Sequence, residues 1–326
     1  MQGLHAGLVR RSCKLAPAMK LRVISNPTAG NGSAARRLPT LKQLLDKRGI
    51  HAEFVETRAP GDAARLVHEA RGDAVECLLV VGGDGTLNEV SQGYLDRDGK
   101  PLAGPDLALV PSGTGGDFRK TFALGTTLQE AVERLCTAEP RALDLGLLEL
   151  TSHSGETVRR AFLNISSFGL GGLTDRLVNA GPKWIGGRAA FFLGSLRALV
   201  SYGNAPVRVR VDGKVCLEAP IVNVALANGQ YFGGGMKIAP DADPSDGLLD
   251  VVAMHDLTRA QSVALAPRVY QGTHVAQPGV LVTRGSRIEA ESLVPRAEVL
   301  IDMDGETPGR LPLVARVAPG ALRIRA

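Results

Sequence analysis

Apolar runs alternate with segments of helical periodicity in the first half of the chain. Four runs are predicted strands, Leu21–Ser25, Ala52–Glu56, Cys77–Val81 and Leu107–Val110. Helices are predicted where apolar residues recur at helical spacing, from Leu38 to Leu45, over Asp62–Arg71, and through Leu128, Val132 and Leu135. Strands that alternate with helices predict a parallel, doubly wound α/β sheet.

The pattern changes to short alternating segments from about Asp144 onwards. Predicted strands include Arg160–Ser166, Val207–Val211, Lys214–Glu218, Ile221–Ala227, Leu248–Ala253, Glu298–Ile301, Leu313–Val317 and Ala321–Ile324. Asp212-Gly213 is a hairpin turn signal between two of them. Predicted helices are Leu173–Ala180, Arg188–Tyr202 and Thr258–Tyr270. Short strands separated by turns predict an antiparallel β-sandwich, so we expect two domains of different class.

Composition narrows the class of protein. The 326 residues suit two domains, and 44% hydrophobic content is enough for buried cores. Aromatic residues make up only 4% of the chain, which argues against a stacking platform for single-stranded nucleic acid. The formal charge of +5 is compatible with a nucleotide or an anionic membrane surface. We therefore expect no nucleic-acid partner.

The cysteines and the apolar runs indicate a soluble, cytoplasmic protein. The four cysteines are far apart and form no CxxC pair, as is typical of reduced thiols: Cys13, Cys77, Cys136 and Cys216. No apolar run approaches the length of a membrane span. Residues 1–18 lack the apolar core of a secretory signal and are predicted to be a disordered leader, with Met19 an alternative start.

Small and polar residues follow each predicted strand of the first half. The run Gly82–Glu89 is a glycine-rich turn with a helix expected from Asn88, and Asp84 at its tip is suited to a magnesium ion beside a phosphate. Asn26–Gly30, Thr57 and Ser112–Asp117 follow the other strands. Because the carboxyl ends of parallel strands meet at one sheet edge, these loops predict a shared phosphate site.

Several well-known motifs are missing from the sequence. It contains neither GxGxxG nor GxxxxGK[ST], which excludes a Rossmann dinucleotide fingerprint and a Walker P-loop. Its six histidines form no HExxH and no His/Cys cluster, so zinc is not expected. Taken alone, the acidic run Ala239–Leu248 is a solvated loop with Asx turns, and Asp304-Gly305 is an ordinary turn.

Taken in order, six motifs resemble the diacylglycerol kinase catalytic-domain superfamily, which includes bacterial lipid kinases and sphingosine, ceramide and eukaryotic diacylglycerol kinases. The motifs are Asn26–Gly30, Gly82–Glu89, Pro111–Thr114 with Asp117-Phe118, Asp144–Gly146, Asp246–Asp250 and Asp304–Glu306. GGDGT alone also occurs in NAD kinases and phosphofructokinases. The combination with NPxxG, DGxLD and DGE is far more specific, and it extends over nearly the whole chain from Leu21.

The resemblance implies a fold and its domain limits. Residues 19–143 would form a doubly wound α/β nucleotide-binding domain, similar to those of phosphofructokinase and NAD kinase. Residues 144–306 would form a β-sandwich domain for the lipid substrate, and residues 307–326 would return as strands to the first domain. The active site is then expected in the cleft between the domains.

The resemblance also implies the ligands and the residues that bind them. ATP would be held by Asn26, Pro27, Thr28, Ala29, Gly30, Thr57, Gly82, Gly83, Asp84, Gly85, Thr86, Leu87, Asn88, Glu89 and Thr114. Catalytic Mg²⁺ would be held through water by Asp84, Asp117 and Asp144, and a structural Mg²⁺ by the Asp246 carboxylate with the carbonyl oxygens of Asp243 and Leu248. Glu306 would be the general base, with Asp304 assisting. This donor chemistry suits Mg²⁺ and phosphoryl transfer.

The hypothesis is an ATP- and Mg²⁺-dependent lipid kinase, peripherally bound to the membrane, that phosphorylates a hydroxyl of diacylglycerol or a sphingosine-like lipid. Family members also suggest a homodimer. Two departures concern the nucleotide: Asn31 stands where many relatives have Lys, and Gly116 replaces the Asn of GTxND. The alternatives are an NAD kinase, against which NPxxG and DGxLD argue, and a catalytically silent lipid- or nucleotide-binding protein.

Overall fold

A computed structural model of the protein describes residues 19–113, 116–179, 198, 201–295 and 297–326. The predicted leader, Thr114 and most of the predicted helix Arg188–Tyr202 lie outside the described residues. In the part that is described, fourteen strands form one hydrogen-bonded network that extends through both halves of the chain. No helix within these ranges is both long and apolar enough to span a bilayer.

The first half is a parallel sheet covered by helices on both faces. Its strands are β1 (Leu21–Ser25), β2 (Ala52–Glu56), β3 (Cys77–Gly82) and β4 (Asp106–Pro111), in the spatial order β2-β1-β3-β4. Its helices are α1 (Ala29–Asp46), α2 (Asp62–Gly72), α3 (Asp84–Gln92), α4 (Asp117–Thr121) and α5 (Leu128–Thr137).

Alternate side chains of β3 explain why this sheet is doubly wound. Leu78 and Val80 pack in the core formed with α2 and α3, whereas Leu79 and Val81 pack in the core formed with α1 and α5. Since successive strand residues point to opposite faces, a continuous apolar run requires cover on both sides. The predicted doubly wound α/β domain is confirmed.

The second half is an antiparallel β-sandwich, also as predicted. Its strands are β5 (Arg141–Ser152), β6 (Thr157–Phe162), β7 (Ile165–Gly169), β8 (Ala205–Val211), β9 (Lys214–Ala227), β10 (Leu249–His255), β11 (Val280–Gly285), β12 (Arg287–Ser292), β13 (Leu300–Met303) and β14 (Glu306–Ile324). Phe162, Phe168 and Val224 are buried in the core between its layers. Helices that accompany it among the described residues are α6 (Leu170–Asn179) and α7 (Arg259–Gln271).

Strand β14 connects the sandwich to the first sheet. The two predicted terminal strands are one strand of 19 residues that pairs with β5 and carries irregularities in its register. At its end, Ile324 pairs with Leu107 of β4 in parallel, and the Arg325 N–H donates to the Leu107 carbonyl at 2.8 Å. The end of the chain therefore closes the edge of the first sheet.

Three other local predictions were wrong. Helix α3 begins at Asp84 and not at Asn88. The predicted strand Arg160–Ser166 is interrupted at residues 163 and 164, where the backbone N–H groups turn toward the Asp304 carboxylate. The first helix was expected to begin with Ser33 as its N-cap, but Ser33 lies inside the α1 segment after three left-handed residues, and its hydroxyl donates to the Ser112 carbonyl.

Candidate active site

Three loops at the carboxyl edge of the first sheet touch through glycine backbone. A Cβ added at Gly113 would lie 2.7 Å from the Gly83 Cα, and one added at Gly83 would lie 3.0 Å from the Gly113 Cα. Gly30, at φ +58°, would place a Cβ 2.3 Å from the Ser112 carbonyl oxygen. Only glycine permits these approaches, so NPTAG, GGDGT and PSG form one surface.

The NPTAG loop is fixed against β3 by an Asx turn. The Asn26 N–H donates to the Val81 carbonyl at 3.2 Å. The Asn26 side-chain oxygen accepts from the Thr28 N–H at 3.1 Å and from the Thr28 hydroxyl at 2.8 Å. Thr57 lies beside this loop at the end of β2, its N–H donating to the Ser25 carbonyl at 2.9 Å. This loop lies where the chain order of the sheet reverses, between β1 and β3, which is the usual ligand position in such folds.

Helix α3 presents its amino end to this surface. Gly83 alone separates β3 from α3, and no side chain caps the first turn. A Cβ at Gly85 would meet no atom within 4 Å, so the first turn faces open space. Unpaired N–H groups and the positive end of the helix dipole favour an anionic ligand here. Leu87, by contrast, is buried in the core, so only its backbone can serve a ligand.

Asp84 and Asp117 form the acidic centre of the surface. The Asp84 carboxylate accepts the backbone N–H groups of Asp117 at 3.1 Å and Phe118 at 3.2 Å. Desolvation raises the pKa of Asp84, the Asp117 charge raises it further, and the backbone N–H donors oppose both. A carboxyl of raised pKa that lies beside a second carboxyl is typical of a site that binds a cation.

Lys120 supplies a positive charge to this acidic centre, and the sequence analysis missed it. Its ammonium lies 2.7 Å from one Asp117 oxygen, and the other oxygen accepts the Gly234 N–H at 2.7 Å. Gly234 belongs to a glycine-rich loop of the sandwich domain, so Asp117 joins the two halves of the site. The i,i+3 spacing of Asp117 and Lys120 was the available signal.

Asp144 lies at the start of β5 and contacts two loops of the second half through its carboxylate. Its carboxylate is almost fully buried and accepts the N–H groups of Gly247 at 2.6 Å and Gly320 at 2.7 Å. No hydrogen bond among the described residues joins it to Asp84 or Asp117. Asp144 thus fastens the acidic DGLLD loop and the bend of β14 to the start of β5.

The acidic loop offers donors for a cation but already contacts an arginine. One Asp246 oxygen accepts the Leu248 N–H at 3.0 Å, and the other pairs with the Arg284 guanidinium, which also lies 3.3 Å from Asp250. One carboxylate and two carbonyl groups fit a Mg²⁺ that keeps several waters, provided that Arg284 shares the carboxylate. No group of three or more His, Cys, Asp or Glu side chains in the described ranges is arranged to bind a metal.

The DGE turn contacts α3 at Asn88, whose side-chain amide donates to the Asp304 carboxylate at 3.4 Å. Asp304 and Gly305 have φ values of +50° and +91°, which makes a tight hairpin between β13 and β14. The Asp304 carboxylate accepts three backbone N–H groups at 2.9 to 3.2 Å, those of Leu163, Asn164 and Ile165. Burial raises the pKa of Asp304 to about 7, although the hydrogen bonds from the backbone N–H groups lower it. Asp304 is therefore a structural centre of the turn.

Glu306 begins β14, next to this turn, with its side chain open to solvent. Desolvation raises the pKa of its carboxyl, and the charges of Glu89 and Asp302 raise it further. The hydrogen bond from Asn88 to Asp304 joins the two sequence motifs, and Glu89 is the next residue of α3. A solvent-accessible carboxyl of raised pKa beside a phosphate-binding surface is suited to proton transfer.

A separate cavity lies at the opposite edge of the sheet. It has a volume of about 520 Å³ and is lined by the end of α2, with His68 and Arg71, and by the segments that precede β3 and β4, with Val75 and Pro105. None of the six sequence motifs contributes to it. The candidate active site is instead the open cleft between α3, the Gly234 loop and the DGE turn.

Comparisons with known proteins agree with this geometry. Residues 20–148 match the diacylglycerol kinase catalytic domain, and residues 164–326 match the YegS C-terminal NAD kinase beta sandwich-like domain. The diacylglycerol kinase of Mycobacterium tuberculosis (strain H37Rv) is 27% identical over 308 residues, which cover 94% of each chain.

Solved structures show the same fold. A crystal structure of a diacylglycerol kinase from Bacillus anthracis has a TM-score of 0.68 at 21% identity and covers 94% of this chain and 96% of its own. Yeast NADH kinase is more distant, with a TM-score of 0.50 at 12% identity, covering 94% of this chain and 82% of its own, which is a likeness of fold alone. The chain therefore belongs to the diacylglycerol kinase catalytic-domain superfamily of lipid kinases.

Proposed function

We propose that the protein transfers the γ-phosphate of ATP to a hydroxyl of a membrane lipid. The observation that carries this proposal is the hydrogen bond from the Asn88 side chain of α3 to Asp304, which brings the DGE turn that precedes Glu306 against the helix whose uncapped amino end adjoins the glycine surface. A phosphate site and a carboxylate of raised pKa then border one cleft. Phosphoryl transfer requires positioning, charge neutralisation and an aligned acceptor, and the cleft offers residues for each.

The nucleotide would bind along the glycine surface. The N–H groups of the first α3 turn, around Gly85 and Thr86, would receive phosphate oxygens, and the loops Asn26–Gly30 and Thr57 would border the nucleoside. Lys120 compensates for the absence of a lysine at Asn31. One of its three ammonium protons goes to Asp117, and the others are free to contact phosphate oxygens.

Mg²⁺, when bound, would neutralise charge on the phosphates as they transfer. Asp84 and Asp117 are the residues that would hold it through water, and Asp144 would act through the loops that it fastens. Asp84 is held in place by two backbone N–H groups, so its carboxylate is oriented before any ligand arrives. Such pre-orientation lowers the cost of binding a hydrated cation.

Glu306 would accept the proton of the lipid hydroxyl. Its raised pKa makes it a better base than an ordinary glutamate. Asp304 would assist indirectly, because it fixes the turn that precedes Glu306.

The acceptor is proposed to be a lipid at the surface of a bilayer, and diacylglycerol is the first to test because related kinases carry that name. Peripheral membrane association and a homodimer are proposed on the same ground. Sedimentation with anionic vesicles would test the first, and light scattering of the purified protein the second.

The deciding experiment is a radiolabelled ATP assay against lipids in mixed micelles, with diacylglycerol, a sphingoid base, ceramide and phosphatidylglycerol in parallel. The expected result is Mg²⁺-dependent label in one lipid product. Label in NAD, with none in any lipid, would contradict the proposal.

A further inference from the structure

We propose that Asp302 is a positioning residue for Glu306, which fixes the DGE turn and adds a negative charge close to the proposed base. This inference rests on the proposed function, and it concerns a residue outside all six sequence motifs. Asp302 lies on β13, two residues before Asp304, and is 5% exposed.

The first support is the set of hydrogen bonds to the Asp302 side chain. One carboxylate oxygen accepts the Gly305 N–H at 2.9 Å, so Asp302 closes the turn from below. The other accepts the Ser167 hydroxyl of the neighbouring strand β7 at 3.2 Å. The Ser166 hydroxyl donates to the Asp302 carbonyl at 2.8 Å. Asp302 therefore ties the DGE turn to β7.

The second support is the backbone at this position. The pairing of β13 with β14 shifts register between Ile301 and Met303, and the extra residue is on β14, so Asp302 lies opposite an irregularity of bulge type. Bulges re-aim the side chains that follow them and are over-represented next to active sites. After the shift, Met303 pairs with Glu306, and Asp304 and Gly305 form the tight turn.

The third support is charge. Glu306 is faced by Glu89 from α3, by Asp302 from β13 and by Asp304 from its own turn, and His153 of the β5–β6 hairpin binds the neighbouring Thr307 carbonyl at 2.9 Å. The Asp302 charge raises the pKa of both Glu306 and Asp304. A buried carboxylate that holds the turn thus also makes the base stronger.

The variant Asp302→Asn separates the effect of the Asp302 charge from the effect of its hydrogen bonds. Asparagine has the same shape, its oxygen can still accept the Gly305 N–H, and its amide can donate to Ser167, so only the charge is lost. Asp302→Ala removes the hydrogen bonds as well. Asp212→Asn is the matched control, because Asp212 occupies another Asp-Gly turn of the sandwich and accepts the Ser286 and Arg287 N–H groups at 3.1 and 2.9 Å.

The test is a carboxyl NMR titration of the full chain labelled at glutamate and aspartate, together with kcat against pH. D302N is expected to lower the pKa of Glu306 and to shift the fall of kcat at acid pH to lower pH. D212N is expected to change neither the pKa of Glu306 nor the pH profile of kcat. D302A is expected to lower kcat at all pH values by about ten-fold or more, with a smaller change in the KM for ATP.

An unchanged Glu306 pKa in D302N would overturn the inference, even if D302A fails to fold. The NMR titration needs no substrate, so it also separates this inference from the proposed function. A shifted pKa in a protein that phosphorylates no lipid would contradict the proposed function and leave the electrostatic coupling intact.

Discussion

The Asn88 side-chain amide donates to the Asp304 carboxylate at 3.4 Å, across 216 residues of sequence. Asn88 belongs to the GGDGTLNE motif on α3, and Asp304 to the DGE turn. The bond therefore joins the proposed phosphate site to the turn that carries the proposed base. Asn88 is buried, so the amide faces its partner without competition from bulk water.

Asn88→Ala is expected to lower kcat by about ten-fold, because the turn loses its tie to α3 and Glu306 its alignment. A hydrogen bond to a charged acceptor contributes about 1.5 kcal/mol at the weak end of its range, and this long bond belongs there. Denaturant unfolding should show a loss of similar size. Glu133→Gln, in an exposed ion pair on α5, is the control. An active, equally stable N88A would show that the contact has no role.

Gly85→Ala tests the phosphate site without disturbing the fold. Nothing lies within 4 Å of a Cβ at Gly85, so the melting temperature should stay unchanged. The methyl group would occupy space meant for phosphate, and ATP affinity should fall by about ten-fold or more in a calorimetric titration. Gly72→Ala, equally unhindered at the end of α2, is the control. Unaltered ATP binding by G85A would place the nucleotide elsewhere.

Gly113→Ala is expected to disturb the contact between two loops of the protein and not only the binding of the ligand. Its Cβ would lie 2.7 Å from the Gly83 Cα, so the two loops must separate. We expect both a lower melting temperature and weaker ATP binding, unlike G85A, which should change only binding. Comparison of the two variants by thermal melting with and without ATP distinguishes a steric loop contact from a ligand contact.

The sequence pattern predicted both domains because, along most of the chain, the apolar residues that set the periodicity are the residues that the structure buries. The apolar run of β3 requires cover on both faces, and Thr127 and Glu130 form the capping box that begins α5. The local sequence pattern gave a wrong prediction where groups that are distant in sequence determine the structure. The break after Phe162 depends on Asp304, which lies about 140 residues further on.

The candidate site was predicted less completely for the same reason. Glycines and acids that follow strands are visible in sequence, so Gly83, Asp84 and Gly30 could be proposed. Lys120 and Asp302 become relevant only through the partners that the fold brings to them, Asp117 and Gly305. The i,i+3 spacing of Lys120 from Asp117 was the one signal in the sequence, and Asp302 had none.

Arg284→Gln tests whether the acidic loop binds Mg²⁺. The variant leaves Asp246 without its guanidinium and Asp250, which is mostly buried, without an ion pair. In EDTA it should unfold more easily, by about 1 kcal/mol because Arg284 is partly exposed. Added Mg²⁺ should raise the melting temperature of R284Q more than that of the wild type. Arg287→Gln, which breaks a pair with Glu289, is the control. No response to Mg²⁺ in either protein would exclude the site.

The pH dependence of kcat follows from the raised pKa of Glu306. A base works when ionised, so activity is full above this pKa and falls as the pH drops through it. Because desolvation, Glu89 and Asp302 all raise the pKa, the acid limb should lie above that of an ordinary glutamate, with Asp304 contributing near pH 7. Glu89→Gln should move the limb to lower pH. A limb at or below the ordinary value would contradict this assignment.

Glu306→Gln tests the central claim most directly. Glutamine keeps the size of the side chain and cannot accept the hydroxyl proton as a carboxylate does. With radiolabelled ATP and the accepted lipid, E306Q should lose about a thousand-fold or more in kcat, within the range for a general base, while its ATP affinity stays close to that of the wild type. Wild-type turnover by E306Q would contradict the account.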